Sequence, residues 1–151
     1  MIPNARYGHT NLVARDWRAL AAFYQQVFGC VTAPPTRDYS GPALEAGTGV
    51  KGATLQGVHL RLPGFGADGP TLEIYTYSVS AEPVWPEVNR PGFGHLAFVV
   101  PDVHAAQREV LAAGGSAVGE LVTLETATGA RVTWCYTRDP EGNVVELQSW
   151  A

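Results

Sequence analysis

A chain of 151 residues with 46% hydrophobic and 16% charged residues suits one compact domain and is too apolar to be disordered. Its net charge of −4 comes without a basic block, which argues against nucleic acid and membrane as partners. No apolar run is long enough to cross a bilayer, and Met1 to His9 hold no apolar signal core, so a cytoplasmic location is expected.

Residues 7–14 and 93–100 are rich in alternating or β-branched apolar residues and are expected to be strands. Asp16 and Asp102 follow them as N-caps. The spacing Trp17, Leu20, Tyr24, Val27 predicts a helix after the first, and Val103, Ala106, Val110, Ala113 predict one after the second. Gly29 and Gly114-Gly115 stop these helices. Between Pro34 and Gly57 a short helix is expected near residues 41–46, capped by Ser40, with the rest a mobile loop. Residues 56–62 and 131–138 are expected strands. Asp68–Tyr77 and Glu141–Trp150 each form a turn and then a strand. Cys30 and Cys135 lie apart, with no CxxC spacing, and are expected to be buried reduced thiols.

The order repeats. At an offset of 86, Gly8, His9, Val13, Asp16, Ala19 and Gly29 fall on Gly94, His95, Val99, Asp102, Ala105 and Gly115. At an offset of 73, Gly69, Glu73 and Tyr77 meet Gly142, Glu146 and Trp150. The expected fold is α+β: two paired β-α-β-β-β modules forming a cupped mixed sheet, in one domain over 1–151. Module one covers 5–78, a Pro-bearing connector 79–91, and module two 92–151.

Side chains alternate along a strand. Leu72 and Ile74 share one face, with Glu73, Tyr75 and Tyr77 on the other. Val145 and Leu147 likewise oppose Glu146, Gln148 and Trp150. Leu96, Phe98 and Val100 oppose His95, and Leu12 opposes His9 and Asn11. Each of these strands thus offers an apolar face for a helix and a face bearing one donor. Burying a carboxylate among apolar groups costs several kcal/mol unless it is paired or bound to a cation. Two His and two Glu at repeat-equivalent positions therefore point to a metal held by His9, Glu73, His95 and Glu146. Imidazole and carboxylate without thiolate suit one divalent transition metal (Zn, Ni, Co, Mn or Fe(II)) and disfavour Ca or Mg.

The stretches "GHTNLVARD…AFYQQVFG", "GHLAFVVPDV" and "RDPEGNVVELQ" resemble the vicinal oxygen chelate superfamily, also called the glyoxalase/bleomycin resistance/dioxygenase fold. The resemblance spans nearly the whole chain and implies a cupped sheet around a metal, with ligands at His9, Glu73, His95 and Glu146. The full His-Glu-His-Glu set is most similar to glyoxalase I. That implies a lyase or isomerase in which the metal holds two substrate oxygens and stabilises an enediolate. Glu146 or Glu73 would be the proton-transferring base. Val13 stands where bacterial glyoxalase I usually has a glutathione-holding Arg, and Glu73 where methylmalonyl-CoA epimerases usually have Gln. A second reading is a type I extradiol dioxygenase with Fe(II) on His9, His95 and Glu146, assisted by His59 and Tyr136. A third is a non-catalytic small-molecule binder of the resistance-protein kind.

Asn11, His59, Tyr75 and Tyr136 are the expected substrate contacts. Trp134, Trp150 and Tyr77 would form pocket walls suited to an organic, partly apolar substrate. Arg37, Arg90 and Arg138 are candidate anion contacts with nothing to rank them. His104 is expected to be exposed. The expected partners are a small-molecule substrate and a second copy in a homodimer.

Overall fold

The computed structural model describes residues 1–151. The chain forms two compact units, Met1–Glu82 and Pro83–Ala151. The first holds β1 (His9–Val13), α1 (Trp17–Phe28), β2 (Val31–Tyr39), α2 (Pro42–Thr48), β3 (Leu55–Arg61) and β4 (Thr71–Tyr77). The second holds β5 (Leu96–Val99), α3 (Val103–Ala112), β6 (Ser116–Glu125), β7 (Arg131–Arg138) and β8 (Val144–Trp150). Each unit is one four-stranded mixed sheet, ordered β1-β4-β3-β2 in the first and β5-β8-β7-β6 in the second. The β1–β4 and β5–β8 pairs are parallel and the others antiparallel. This is the α+β class and the doubled strand–helix–strands order expected from the sequence.

The two main helices start and stop for local reasons. The Asp16 carboxylate accepts from the backbone N–H groups of Arg18 and Ala19, satisfying donors that the first turn leaves free. Gly29 ends α1 at φ 68°, a conformation that costs glycine nothing. Asp102 caps α3 in the same way through Ala105 N–H. The buried stripe of α1 is Leu20, Ala21, Phe23 and Tyr24. It packs on β3 and β4, whose apolar face presents Val58, Leu60, Leu72 and Ile74. In the second unit Val103 and Val110 face a sheet core of Cys135, Thr137, Val145 and Leu147.

Three local expectations are corrected. Residues 34–39 are strand and not mobile loop: β2 carries a bulge between Ala33 and Arg37, and the chain passes Pro34 and Pro35 there without losing its pairing to β3. Bulges admit prolines because the extra residues need no ladder partner. The second unit has a bulge at the matching place, between Val118 and Val122, so most of the extra length of the first unit lies in residues 40–54, with a smaller part in the β3–β4 turn at 62–70. The short helix there is Pro42–Thr48. Its N-cap is Gly41 at φ 91°, with no side-chain cap, so Ser40 does not fill that role. Finally, the strand near 93–100 shortens to Leu96–Val99, which leaves His95 one residue before it.

Both cysteines are buried and free. Burial pushes the Cys30 thiol up to about 11 and raises that of Cys135. Only about one Cys30 in a thousand is thiolate at pH 8 under such a shift. The folded chain is therefore expected to resist iodoacetamide at pH 8 and to label at both thiols once unfolded in urea. Rapid labelling of Cys30 in the folded chain would contradict its placement.

Candidate functional site

Directly opposed residues of a sheet share a face. In the first unit one row across β2, β3, β4 and β1 reads Ala33, His59, Glu73, Asn11, and the next reads Arg37, Gly57, Tyr75, Val13. In the second unit the same rows read Val118, Tyr136, Glu146, Ala97, and then Val122, Trp134, Gln148, Val99. Each glutamate thus occupies the same lattice point of its own sheet. The helices bind the other faces. Trp17 N–H of α1 donates to Thr76 Oγ1 at 3.0 Å, and Gln107 of α3 reaches Cys135 Sγ at 3.7 Å. Thr76 and Cys135 have the parity opposite to the glutamate rows.

In the first unit Glu73 is the centre of a polar cluster. Its Oε1 lies 2.8 Å from His59 Nε2, and its Oε2 lies 3.3 Å from His9 Nε2. Asn11 Nδ2 donates to Oε2 at 3.4 Å. His59 Nε2 is also 2.7 Å from the Tyr75 hydroxyl, and its Nδ1 is 3.4 Å from Thr71 Oγ1. Tyr75 can lie across the sheet because position 57 is glycine. A Cβ there would come within 2.3 Å of the Tyr75 ring and 2.0 Å of the Ile74 carbonyl oxygen. Burial lowers the His59 pKa, against the pull of the Glu73 carboxylate. Burial and then the same carboxylate push the Tyr75 phenol up to about 12. Near neutral pH Tyr75 is thus a protonated hydroxyl able to donate.

The second unit is simpler. His95 Nε2 lies 2.9 Å from Glu146 Oε2. The Tyr136 ring stands 5.1 Å from the His95 ring and 5.0 Å from that of Trp134. Burial raises the Tyr136 pKa, and the Glu146 charge adds to the rise. Where the first unit places Asn11, His59 and Tyr75 around its glutamate, the second places Ala97, Tyr136 and Gln148.

The four expected donors are therefore present as two pairs, His9 with Glu73 and His95 with Glu146, one in each unit. No group of three or more His, Cys, Asp or Glu side chains that could hold a metal ion forms. The donor chemistry still fits a divalent ion. The Glu73 and Glu146 side chains are only 11% and 17% exposed, yet no lysine or arginine pairs with either. A carboxylate in that setting needs a positive charge, from a protonated imidazole or from a bound cation. Of the expected substrate contacts, Asn11, His59 and Tyr136 lie in the glutamate rows, and Tyr75 lies in the next row on the same face. His104 is exposed, as expected.

The three arginines separate clearly. Arg138 is committed to structure: Nη1 donates to the carbonyl oxygens of Pro86 at 2.6 Å and Gly142 at 2.9 Å, and Nη2 lies 3.9 Å from Glu87. Arg90 sits exposed in a turn before β5. Arg37 belongs to the row next to Glu73. Sequence reasoning could not rank it, because it placed residue 37 in a loop, and the bulge that sets it opposite Gly57 leaves no periodic signal.

Solved structures share this architecture. A glyoxalase family protein from Bacillus cereus superposes with a TM-score of 0.82 at 19% identity, covering 99% of this chain and 98% of that one. A virulence protein from Salmonella typhimurium gives 0.57 at 25% identity, with all of both chains covered. A glyoxalase I variant from Zea mays gives 0.61 at 18% identity, covering 94% of this chain and 45% of that one. No curated protein matches in sequence. Residues 6–147 match the family described as the Glyoxalase/Bleomycin resistance protein/Dioxygenase superfamily. With that match spanning both repeated units, the chain belongs to the glyoxalase/bleomycin resistance protein/dioxygenase superfamily.

Proposed function

We propose that His9, Glu73, His95 and Glu146 serve one divalent transition metal (Zn, Ni, Co, Mn or Fe(II)), and that the protein is a metal-dependent lyase or isomerase of the glyoxalase kind. Its substrate is a small organic molecule with oxygens on adjacent carbons. One observation carries this reading. Two largely buried carboxylates, each with a histidine at its side and no fixed cation, sit at the same lattice point of two repeated sheets. A divalent cation bound there supplies Lewis-acid polarisation of the substrate oxygens.

The chain's own groups divide the remaining work. Glu146 takes a proton from the carbon beside the carbonyl and returns it to the neighbouring carbon. It suits that movement because its one ion-pair partner is His95, whereas Glu73 is held by His9, His59 and Asn11. Glu73 is the fixed carboxylate. The Tyr75 hydroxyl, protonated near neutral pH, and His59 bind a substrate oxygen. Tyr136 and Trp134 wall the second glutamate with aromatic surface that excludes water from the proton transfer.

A second reading has one specific observation behind it. His59 and Tyr136, which the dioxygenase resemblance implies, stand directly across from Glu73 and Glu146. The experiment separates the two. The chain is loaded in turn with Zn, Ni and Fe(II), then incubated in D2O with hemithioacetals of methylglyoxal made from several thiols, and separately with catechols under air. Metal-dependent deuterium incorporation into the 2-hydroxyacyl thioester product is the expected result. Oxygen uptake with catechol confined to the Fe(II) form would favour ring cleavage. Failure to take up any of the three metals would overturn both.

A further inference from the structure

The geometry points to an anion-recognition site at Arg37: the substrate carries an oxyanion, a carboxylate or a phosphoryl group, that this guanidinium binds beside Tyr75 and His59. The inference rests on the reading of the glutamate rows as the substrate face.

Arg37 is half-buried in β2, in the row Arg37–Gly57–Tyr75–Val13, next to the row that holds His59 and Glu73. No carboxylate pairs with it. Its one hydrogen bond runs from Nη1 to the carbonyl oxygen of Pro35, which leaves most of its five donors unused. Gly57, which stands between Arg37 and Tyr75 in that row, has no side chain, and the Tyr75 ring lies over it. The charge reaches both neighbours. It adds to the burial that lowers His59, and it opposes the burial that raises Tyr75. An unpaired guanidinium with a phenol donor at hand matches the planar fork that carboxylate and phosphate accept.

The repeat sharpens the argument. The bulge is the same in both units, so Arg37 has a counterpart, and that counterpart is Val122. The rest of the second row there is Trp134, Gln148 and Val99. A cation kept at one of two equivalent stations is not demanded by the fold. It makes the face of the first unit cationic where the matching face of the second is aromatic, which marks Arg37 as specific to an anionic group.

The test uses the full chain, with and without added Zn(II), titrated calorimetrically with benzoate, phenyl phosphate and the neutral benzamide at fixed ionic strength. The expected result is that benzoate or phenyl phosphate binds about tenfold more tightly than benzamide, the scale of one charge-assisted hydrogen-bonded contact. Which of the two anions gains more identifies the group. Arg37→Gln should erase the margin, and Arg37→Lys should keep part of it, with circular dichroism of both variants matching the parent. Equal binding of benzamide, or an unchanged margin in Arg37→Gln, would overturn the inference. The arms also separate it from the metal reading. An Arg37-dependent margin in a chain that refuses Zn(II) sinks the metal alone. Zinc binding without Arg37 dependence sinks the anion site alone.

Discussion

Replacing Glu146 by glutamine is expected to slow substrate proton exchange by about 10²–10⁴-fold, the usual contribution of a positioned general base. The amide keeps the volume of the side chain and loses the charge and the proton-accepting oxygen. His95 then has no carboxylate at 2.9 Å, so affinity for the metal falls as well. Glu73→Gln should weaken metal binding too, but three neighbours still hold the side chain in place. Deuterium exchange and calorimetric metal titration on both variants separate these effects. Equal exchange rates for Glu146→Gln and the parent chain would remove Glu146 from the chemistry.

Leu147→Ala should cost about 3 kcal/mol of stability, read as a lower urea midpoint at unchanged slope. Leu147 is fully buried in β8, paired with Phe98 on one side and Cys135 on the other, on the face that packs against α3. Removing three carbons there leaves a cavity that the close-packed sheet fills only in part. Its neighbour Glu146 points to the opposite face, so the residual folded protein should keep its metal affinity. A loss below about 1 kcal/mol would mean that the second unit has no well-packed core at this position.

The outline of the fold was legible because its strongest signals are local. The Asp caps, the glycine stops and the apolar stripes of α1 and α3 each lie within a few residues, and the repeat shows them twice. The parity of Glu73 against Leu72 and Ile74, and of Glu146 against Val145 and Leu147, also follows from alternation alone. What escaped depends on partners far away in sequence. Val31–Tyr39 holds two prolines and resembles a loop until β3 pairs with it around the bulge. Gly41 displaces Ser40 as cap because the chain enters α2 with φ 91°, a conformation no composition rule specifies. The clustering of His59, Tyr75 and Asn11 around Glu73 is set by the registers of β1–β4 and β3–β4. A register shift of one residue would have sent each of them to the other face. Arg37 was visible only as one of three candidate anion contacts, with Arg90 and Arg138, and nothing in the sequence ranked it above them.

The family supplies a frame that serves several chemistries, so function has to be argued from the side chains. The two units share one lattice and differ in what fills it. Polar groups surround Glu73, while aromatic ones border Glu146. Under the proposed mechanism that difference would give the carboxylates distinct tasks, one restrained and one free to move a proton. No helix is long and apolar enough to cross a membrane.

X-ray absorption on the cobalt-loaded chain tests the metal assignment most directly. The account predicts one ion per chain in a shell of nitrogen and oxygen with two imidazoles, one lost in His9→Ala and the other in His95→Ala. Sulfur in that shell, an imidazole count unchanged by both substitutions, or no cobalt uptake would contradict it.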